Sequence, residues 1–273
     1  MPRPNPATTH DGADDRADDW ADEGAADNWA ADNWAADNWA RSVRLFRAFL
    51  TEQQDPTGFY TLIADDAMRL LRRHVDLEGL VVADFGGGPG FYSEAFRRAG
   101  ARALVVDASF EEITGHGPRA PAVVGRAEAP PLAEGSVDLA FSSNLLEHVP
   151  RLGPVADRIV EVVRPGGLVA LSYTVWLGPW GGHETSPWHY LGGHRAARRY
   201  ERRHGRPPKN VFGESMYAAS VRDGLRWLAS RADLAVLELR PRYLPPVARG
   251  LLRVPGLREV ATWNLWIVAR RVG

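Results

Sequence analysis

Short apolar runs alternate with stretches of helical periodicity between residues 80 and 173. Residues 80–85 are apolar and lead into a cluster of glycines, and residues 91–99 place apolar side chains at helical spacing. We therefore predict a strand, a tight turn and a helix in that order. The same pattern predicts six further strands and one further helix: strands over 103–106, 122–124, 137–141, 167–173, 234–239 and 263–272, and a helix over 154–163.

Strands that alternate with helices are typical of a parallel sheet whose two faces are both covered by helices. The predicted fold class is α/β, with a Rossmann-like, doubly wound sheet of seven mostly parallel strands. Two helices should precede it, over residues 43–50 and 59–71, with a break at Asp55-Pro56 between them. Residues 176–228, a long polar and aromatic connection after the fifth strand, are predicted to form an inserted lid.

Residues 1–40 differ in composition from the rest of the chain. They contain the sequence AADNW three times, which places Trp29, Trp34 and Trp39 five residues apart. Such side chains would lie about 140° apart around a helix and on opposite faces of a strand, so no regular element buries them together. The segment carries a net charge of −8, which leaves +7 for the remainder. We predict a disordered, acidic, low-complexity tail, with a partner contact through the tryptophans as the alternative, and a folded domain over residues 41–273.

The composition excludes several kinds of chemistry. The chain has no cysteine, so it has no disulfide, thiolate nucleophile or cysteine-bound metal. No apolar run approaches the roughly 20 residues that span a bilayer, and no signal peptide is recognisable, so a cytoplasmic location is expected. The basic residues form no dense cluster of the kind that binds nucleic acids. The expected partner is therefore a small molecule rather than a nucleic acid.

Candidate chemistry begins at the turn that follows the first strand, residues 84–90 with the sequence DFGGGPG. Glycines let a ligand approach the backbone closely, and free NH groups at the start of the next helix offer donors. The dinucleotide fingerprint G-x-G-x-x-G is not satisfied, because its sixth position falls on Phe91 or Ser93. A nicotinamide cofactor is therefore disfavoured.

An acidic residue closes the second strand. Asp107 lies 23 residues after Asp84, a spacing that suits a carboxylate binding the two hydroxyls of a ribose. The alternative is that Asp107 caps the helix that follows. The glycine turn at the end of the first strand favours the ribose.

The pattern D-x-G-x-G-x-G resembles motif I of class I S-adenosylmethionine-dependent methyltransferases. Four further segments resemble that family in the same order: residues 125–132 (GRAEAPPL), 135–139 (GSVDL), 142–149 (SSNLLEHV) and 164–167 (RPGG). The resemblance implies S-adenosylmethionine as the cofactor, with the glycines beneath its methionine portion and Asp84 helping to order its ammonium group. The residues it implies for cofactor binding are Tyr60, Asp84, Gly86, Gly88, Gly90, Asp107, Ala108, Arg126, Ala127, Ser143 and Asn144.

Two positions depart from the family pattern. Arg126 stands where the family often has an aspartate that contacts the adenine amino group. Arg126 either stacks on the adenine ring, with the Ala127 NH on a ring nitrogen, or is a solvated surface arginine. Asn144 stands where relatives that methylate quinone precursors carry the first acid of a metal-binding E-x-x-E-H segment, which leaves only Glu147 and His148. We therefore expect no metal site.

Methyl transfer from a sulfonium is an in-line displacement, so the enzyme has to align the acceptor and, for a hydroxyl, accept its proton. Histidine suits that task near neutral pH. The lid supplies His183, which is flanked by Glu184, and His189. Each is a candidate base, or else forms hydrogen bonds within a folded lid. A basic run in the lid either meets an anionic acceptor or forms a solvated helix face: His194, Arg195, Arg198, Arg199, Arg202 and Arg203.

These observations together predict an S-adenosylmethionine-dependent methyltransferase that acts on a small molecule, with oxygen as the leading acceptor atom. The lid segments WGGHE (180–184) and WHYLGG (188–193) resemble those of uncharacterised actinobacterial methyltransferases and add no substrate. Two alternatives remain open, a nicotinamide-dependent reductase and a noncatalytic S-adenosylmethionine-binding protein.

Overall fold

Seven strands form one sheet in the computed structural model, which describes residues 39–52, 54–118 and 120–273. They are β1 (Val81–Phe85), β2 (Arg102–Asp107), β3 (Ala122–Val124), β4 (Val137–Ser143), β5 (Val163–Thr174), β6 (Leu234–Pro241) and β7 (Asn264–Arg271). Their order across the sheet is β3-β2-β1-β4-β5-β7-β6, and β7 runs antiparallel to both of its neighbours. The other paired strands are parallel. The predicted α/β fold class is therefore confirmed.

Helices flank this sheet and also form much of the connection after β5. The α-helices are α1 (Trp39–Leu50), α2 (Pro56–Leu71), α3 (Phe91–Arg98), α4 (Phe110–Ile113), α5 (Leu152–Glu161), α6 (Gly193–His204), α7 (Val221–Ala229) and α8 (Leu257–Ala261). Short 3-10 helices cover Leu146–His148, His183–Thr185, Trp188–Leu191 and Pro246–Arg253. Within the described residues, no helix is both long enough and apolar enough to cross a membrane.

The apolar runs that predicted the strands are buried on both faces of the sheet, as expected of parallel strands. On one face the strands pack with α5 and α7, through side chains that include Ile159 and Trp227. On the other face Val82 and its neighbours pack with α2 and α3, through Leu70 and Phe96. Burying one such aliphatic or aromatic side chain contributes about 1.5–3 kcal/mol. The two helical layers hold the sheet rigid and leave its carboxyl edge as the place for a site.

The break between α1 and α2 follows from the local sequence. Asp55 accepts a hydrogen bond from the backbone N of Gly58 (2.9 Å), and Pro56 occupies the first turn of α2. The two helices are then joined by a buried ion pair, in which Arg41 Nε donates to Asp66 Oδ1 (2.7 Å). Because both charged groups are buried and hydrogen-bonded, α1 is fixed in one position on α2.

β5 begins four residues before the predicted start. The register between β4 and β5 shifts between Val137 and Leu139, so residues 164–167 form a bulge inside the strand instead of a turn before it. A Cβ on Gly167 would lie 2.7 Å from the backbone oxygen of Asp138. Glycine is therefore required where the bulged backbone passes over β4.

The predicted tail lies almost entirely outside the described residues, whereas the predicted lid is described throughout. Residues 1–38 lie outside the described residues, and α1 begins at Trp39, inside the predicted tail. At the other end of the predicted lid, α7 packs on α5, where Trp227 Nε1 donates to Asp157 Oδ1 (2.8 Å). This last part of the insertion therefore covers the sheet, and the preceding residues, 176–220, lie at the carboxyl ends of β4 and β5.

Candidate functional site

The glycine turn lies at the carboxyl end of β1, where the strand order reverses. β1 pairs with β2 on one side and with β4 on the other, so the ends of the three strands meet at one edge. Ligands of doubly wound sheets bind in the crevice outside this point. The fold therefore brings residues 84–90, Asp107 and residues 143–144 to the same crevice.

The backbone of the turn leaves room for a ligand. Gly86 and Gly88 have φ values of 71° and 48°, in the left-handed region that glycine adopts readily. A Cβ built on Gly88 would meet no atom within 4 Å among the described residues. Gly90, with a φ of 92°, caps α3. The missing side chain of Gly88 therefore opens space directly above the backbone.

Asp84 lies fully buried beneath the turn, at the end of β1. Its Oδ2 accepts a hydrogen bond from Ser93 Oγ (3.0 Å), and a Cβ on Gly87 would lie 2.6 Å from the same oxygen. Burial raises the pKa of Asp84 to about 7, although the hydrogen bonds of Ser93 lower it in part. A nearby ammonium group would stabilise the ionised carboxylate, so Asp84 fits the cationic end of S-adenosylmethionine.

Asp107 is half-buried at the end of β2 and faces the same turn. Its Oδ2 accepts a hydrogen bond from the backbone N of Gly88 (3.0 Å), and its Oδ1 accepts one from the backbone N of Ser109 (2.9 Å). The cap of α4 is formed by Ser109, whose Oγ accepts from the backbone N of Glu112. Asp107 therefore does not cap that helix.

The carboxylate of Asp107 retains acceptor capacity for a cofactor. An ionised carboxylate offers about four lone-pair sites, and two are used by the bonds to the turn and to Ser109. The remaining sites suit the two ribose hydroxyls of S-adenosylmethionine. Together with the open space above Gly88 and the buried Asp84, this acceptor set fits the cofactor.

The residues predicted for the adenine differ in their exposure. Ala127 is buried, whereas Ala108, a predicted cofactor-binding residue that follows β2, is exposed. The Arg126 side chain is largely exposed, and its Nη2 pairs with Glu128 Oε1 (2.9 Å). Stacking of Arg126 on the adenine would require the guanidinium to leave Glu128, and this contact stays a prediction.

Tyr60 of α2 lies against the start of α3. Its ring stacks on Phe91, with centroids 5.5 Å apart, and its hydroxyl donates to Glu52 Oε1 (2.9 Å). Burial raises the pKa of Tyr60, and the neighbouring carboxylate of Glu52 adds to the effect. Tyr60 therefore stays a neutral hydroxyl next to Phe91 at the start of α3, and its predicted contact with the cofactor stays a prediction.

The hydroxyl of Ser143, at the end of β4, is oriented by an arginine that the sequence did not reveal. The fully buried Arg242 donates through Nη1 to Ser143 Oγ (2.8 Å) and to Ser172 Oγ (2.9 Å). Its Nη2 donates to the hydroxyl of Tyr92 (3.2 Å). Arg242 follows β6, about a hundred residues from Ser143, so local spacing carries no signal of this contact.

Asn144 adopts a φ of 58°, a left-handed conformation that asparagine tolerates better than most residues. Its backbone N donates to the oxygen of Ser172 (2.8 Å), and its Oδ1 accepts from Asn264 Nδ2 (2.8 Å). These hydrogen bonds to β5 and β7 fix Asn144, which follows β4, at the edge of the crevice.

His183 of the lid lies beside Glu147 and His148, which follow β4. The rings of His183 and His148 are 5.6 Å apart and nearly perpendicular, and His183 has a φ of 47°. Its Nδ1 is buried and has no hydrogen-bond partner among the described residues. Burial lowers the pKa of His183, and the charge of Glu147 opposes this only in part. The ring is therefore neutral at pH 7, with a free nitrogen.

His189, the other predicted base, is buried inside the lid. Its Nε2 donates to the backbone oxygen of Gly178 (3.2 Å), and its Nδ1 accepts from Ser186 Oγ (3.3 Å). Glu184, whose position next to His183 suggested a partnership, instead accepts hydrogen bonds from Asn210. The acid beside His183 is Glu147, which lies in the 3-10 helix that follows β4.

An aromatic cluster joins α1, the lid and the start of β7. Phe49 packs edge-on against Trp180 and Trp263, with centroids 5.2 and 4.7 Å apart, and the two tryptophans lie 4.5 Å from each other. Such pairs each add about 0.5–1.5 kcal/mol beyond the area they bury. The cluster therefore fixes the lid on α1.

The basic run of the lid forms α6. Its arginines are mostly exposed, and Arg199 lies over the ring of Trp188, 3.8 Å from the centroid. In the described residues this helix presents a largely solvated charged face. Whether an anionic acceptor contacts it stays a prediction.

Comparison with known proteins places these features in a family context. Residues 83–171 match the family model described as a methyltransferase domain. The chain is 46% identical over 241 residues to a protein of Mycolicibacterium gilvum named as an uncharacterized methyltransferase, covering 84% of this chain and 94% of that one. A protein of the same name from Mycobacteroides abscessus is 45% identical over 244 residues, covering 84% and 93%. A crystal structure of an S-adenosylmethionine-dependent methyltransferase from Mesorhizobium loti has a similar fold, with a TM-score of 0.52, 20% identity, and coverage of 76% and 98%.

Proposed function

The chain belongs to the S-adenosylmethionine-dependent methyltransferases, and we propose that it transfers the methyl group to a hydroxyl oxygen of a small molecule. Membership of this family sets aside the nicotinamide-dependent reductase and the noncatalytic binding protein. The observation that supports an oxygen acceptor is the position of His183, whose neutral ring lies beside the buried Glu147 at the end of β4.

In the proposed site, residues of the crevice bind and orient the cofactor. Asp107 accepts hydrogen bonds from the ribose hydroxyls, and Asp84 stabilises the ammonium group from below the turn. Bound S-adenosylmethionine supplies a methyl group on a positively charged sulfur, which the acceptor attacks in line. The remaining proposed contacts are made by Tyr60, Gly86, Gly88, Gly90, Ala108, Arg126, Ala127, Ser143 and Asn144.

We assign to His183 the removal of the acceptor proton. Its pKa is lowered by burial, so the ring is unprotonated at neutral pH, and Glu147 is placed to stabilise a positive charge that forms there. General acid–base catalysis of this kind contributes about 10²–10⁴-fold. We assign His189 a structural role in the lid, because both of its ring nitrogens already make hydrogen bonds.

The proposal is tested by following a ¹³C-labelled methyl group. The full chain is incubated with S-[methyl-¹³C]adenosylmethionine and the small-molecule fraction of a mycobacterial extract, since the relatives described above are mycobacterial. We expect the label in the small-molecule fraction, with the ¹³C chemical shift of an O-methyl group. Label on nitrogen, on carbon or on macromolecules would contradict the proposed acceptor while leaving the family assignment intact.

Two variants separate catalysis from folding and cofactor binding. His183→Asn should lower turnover by about 100-fold or more while leaving the affinity for S-adenosylmethionine within about twofold. The control is His116→Asn, at an exposed position in the loop after α4, which should retain normal turnover. Normal turnover in His183→Asn would remove that residue from the mechanism.

A further inference from the structure

Three side chains that could hold a metal ion converge where the lid meets the end of β4. Each of Glu147, His148 and His183 offers one ligand atom, and these atoms all lie within 4.8 Å of one another. We propose that this cluster, two imidazoles and one carboxylate, binds a divalent transition-metal ion. The sequence predicted no metal site, because Asn144 stands at the position of the first acid of the E-x-x-E-H segment. The folded lid brings His183, 35 residues after His148, to the other two residues.

Glu147 is the first reason for the proposal. It is almost completely buried, and its Oε1 accepts a hydrogen bond from the backbone N of Thr174 (3.1 Å). Its Oε2 is also buried and has no hydrogen-bond partner among the described residues. A buried carboxylate oxygen without a partner costs free energy, and a metal ion bound at that oxygen would remove the cost.

The two histidines are oriented as metal ligands usually are. His148 donates through Nδ1 to the backbone oxygen of Ser215 (2.6 Å), which fixes the tautomer and leaves Nε2 free. Metal-binding histidines almost always donate their other ring NH in this way. His183 presents a buried Nδ1 with no partner among the described residues, and its backbone has a φ of 47°, which most residues avoid.

The geometry requires only a small movement to form a coordination sphere. Ligand atoms about 2.1 Å from a shared zinc ion stand about 3.4 Å apart at tetrahedral angles. Atoms now within 4.8 Å of one another therefore need to approach by about 1.5 Å or less, which side-chain rotations in the lid supply. Imidazole ligands favour zinc, iron, copper or nickel over magnesium, and two histidines with one carboxylate leave coordination positions open.

The role of this ion rests on the proposed function. A divalent ion at His183 would bind the acceptor hydroxyl and lower its pKa, so that the proton leaves to water. The oxygen then forms a bond to the methyl carbon, and the carbon–sulfur bond breaks with its electron pair remaining on sulfur. With the ion bound, His183 would act on the acceptor proton through the ion, whereas in the metal-free protein its imidazole would accept that proton directly, as proposed above.

Metal binding is tested directly, without an acceptor. Full-length protein without a polyhistidine tag is stripped with a chelator, dialysed and titrated with Zn²⁺ in a calorimeter, and Co²⁺ is then followed by its visible absorption. We expect one ion per chain, and we expect the visible absorption spectrum of bound Co²⁺ to indicate a low coordination number. Binding of much less than one equivalent would overturn the proposal.

Matched variants identify the ligands. Glu147→Gln keeps an acceptor for the Thr174 NH and removes the charge, so the fold should be retained, and thermal melting of the stripped protein checks this. Glu147→Gln and His183→Asn should each weaken Zn²⁺ binding about tenfold or more, whereas His116→Asn should not change it. Equal Zn²⁺ affinity in all of these proteins would place any bound ion elsewhere and refute the site.

The outcomes for the metal and for the proposed function can be told apart. Suppose that Zn²⁺ does not bind, while the ¹³C label appears in an O-methyl group and His183→Asn loses turnover with intact cofactor binding. The metal site would then be wrong and the proposed hydroxyl methylation would stand. If instead Zn²⁺ binds as described but the ¹³C label appears on nitrogen or carbon, the site would stand and the acceptor assignment would fall.

Discussion

Replacement of Asp84 by asparagine tests the electrostatics beneath the glycine turn. Burial raises the pKa of Asp84 to about 7, against about 3.9 for an exposed aspartate. Three pKa units correspond to about 4 kcal/mol by which the folded protein disfavours the ionised side chain. Asparagine keeps an acceptor for Ser93 Oγ and carries no charge. We therefore expect Asp84→Asn to raise the free energy of unfolding at alkaline pH by up to about 4 kcal/mol.

The expected gain depends on pH with a definite sign. Because the pKa of Asp84 is higher in the folded state, the folded protein binds this proton more tightly than the unfolded chain does. The favourable contribution of the protonated group is complete below pH 4, and it is lost as the pH rises through about 7. The stability difference between variant and wild type should therefore be about 1 kcal/mol or less at pH 4.5 and largest at pH 8.5.

Urea denaturation of both proteins at pH 4.5 and 8.5 measures this difference directly. A gap between the two proteins that is the same at both pH values would refute the assignment of a raised pKa to Asp84. Repeating the pH 8.5 measurement with saturating S-adenosylmethionine tests the proposed contact with the ammonium group. The cofactor should stabilise the wild type more than Asp84→Asn, with an affinity about tenfold or more higher for the wild type. Equal stabilisation would mean that Asp84 supports the turn without contacting the cofactor.

Three other substitutions test separate parts of the structure. Asp107→Ala should weaken S-adenosylmethionine binding about 100-fold in calorimetry, because two charge-assisted hydrogen bonds to the ribose are lost, and unchanged affinity would remove the ribose from that carboxylate. Glu238→Gln should lower the free energy of unfolding at pH 7 by about 3 kcal/mol. Burial opposes ionisation of Glu238, but a hydrogen bond from His74 and nearby arginines lower its pKa to about 2. The stability difference between Glu238→Gln and the wild type should therefore shrink as the pH falls from about 4 towards 2. Guanidinium denaturation of both proteins at several acidic pH values measures it, and a difference that does not change with pH would refute the lowered pKa. His189→Asn should bind the cofactor normally but speed proteolysis within residues 176–220, and an unchanged cleavage rate would exclude its structural role in the lid.

The parts of the fold that the sequence predicted are those set by local pattern. Residues 80–99 form the expected strand, turn and helix, because the apolar run, the glycines and the helical spacing all lie within twenty residues. The meeting of this turn with Asp107 also followed from the pattern, since parallel strands end at the same edge of a sheet. The predicted start of β5, at residue 167, was wrong by four residues, because a bulge inside a strand can contain the same glycine and proline residues as a turn before it.

Contacts that depend on distant segments were not predictable in this way. Glu184 adjoins His183 in the sequence but accepts hydrogen bonds from Asn210, whereas the acid near His183 is Glu147, in the 3-10 helix after β4. The lid has no apolar periodicity that fixes its path, so its backbone could not be placed from the pattern alone. The same limit applies to Arg242, whose bond to Ser143 exists only because β6 and β4 belong to one sheet.

The position of β7 in the sheet has a consequence for the order in which the protein assembles during synthesis. β7 lies between β5 and β6, and β6 reaches the sheet through its pairing with β7. Asn264, at the start of β7, also supplies the hydrogen bond that holds Asn144 at the edge of the crevice. Until β7 has been translated, β5 has an unpaired edge and β6 has no neighbour in the sheet. A nascent chain therefore completes the methyl-transfer crevice only after β7 has been synthesised, and fragments that lack β7 expose a strand edge open to aggregation or to chaperones.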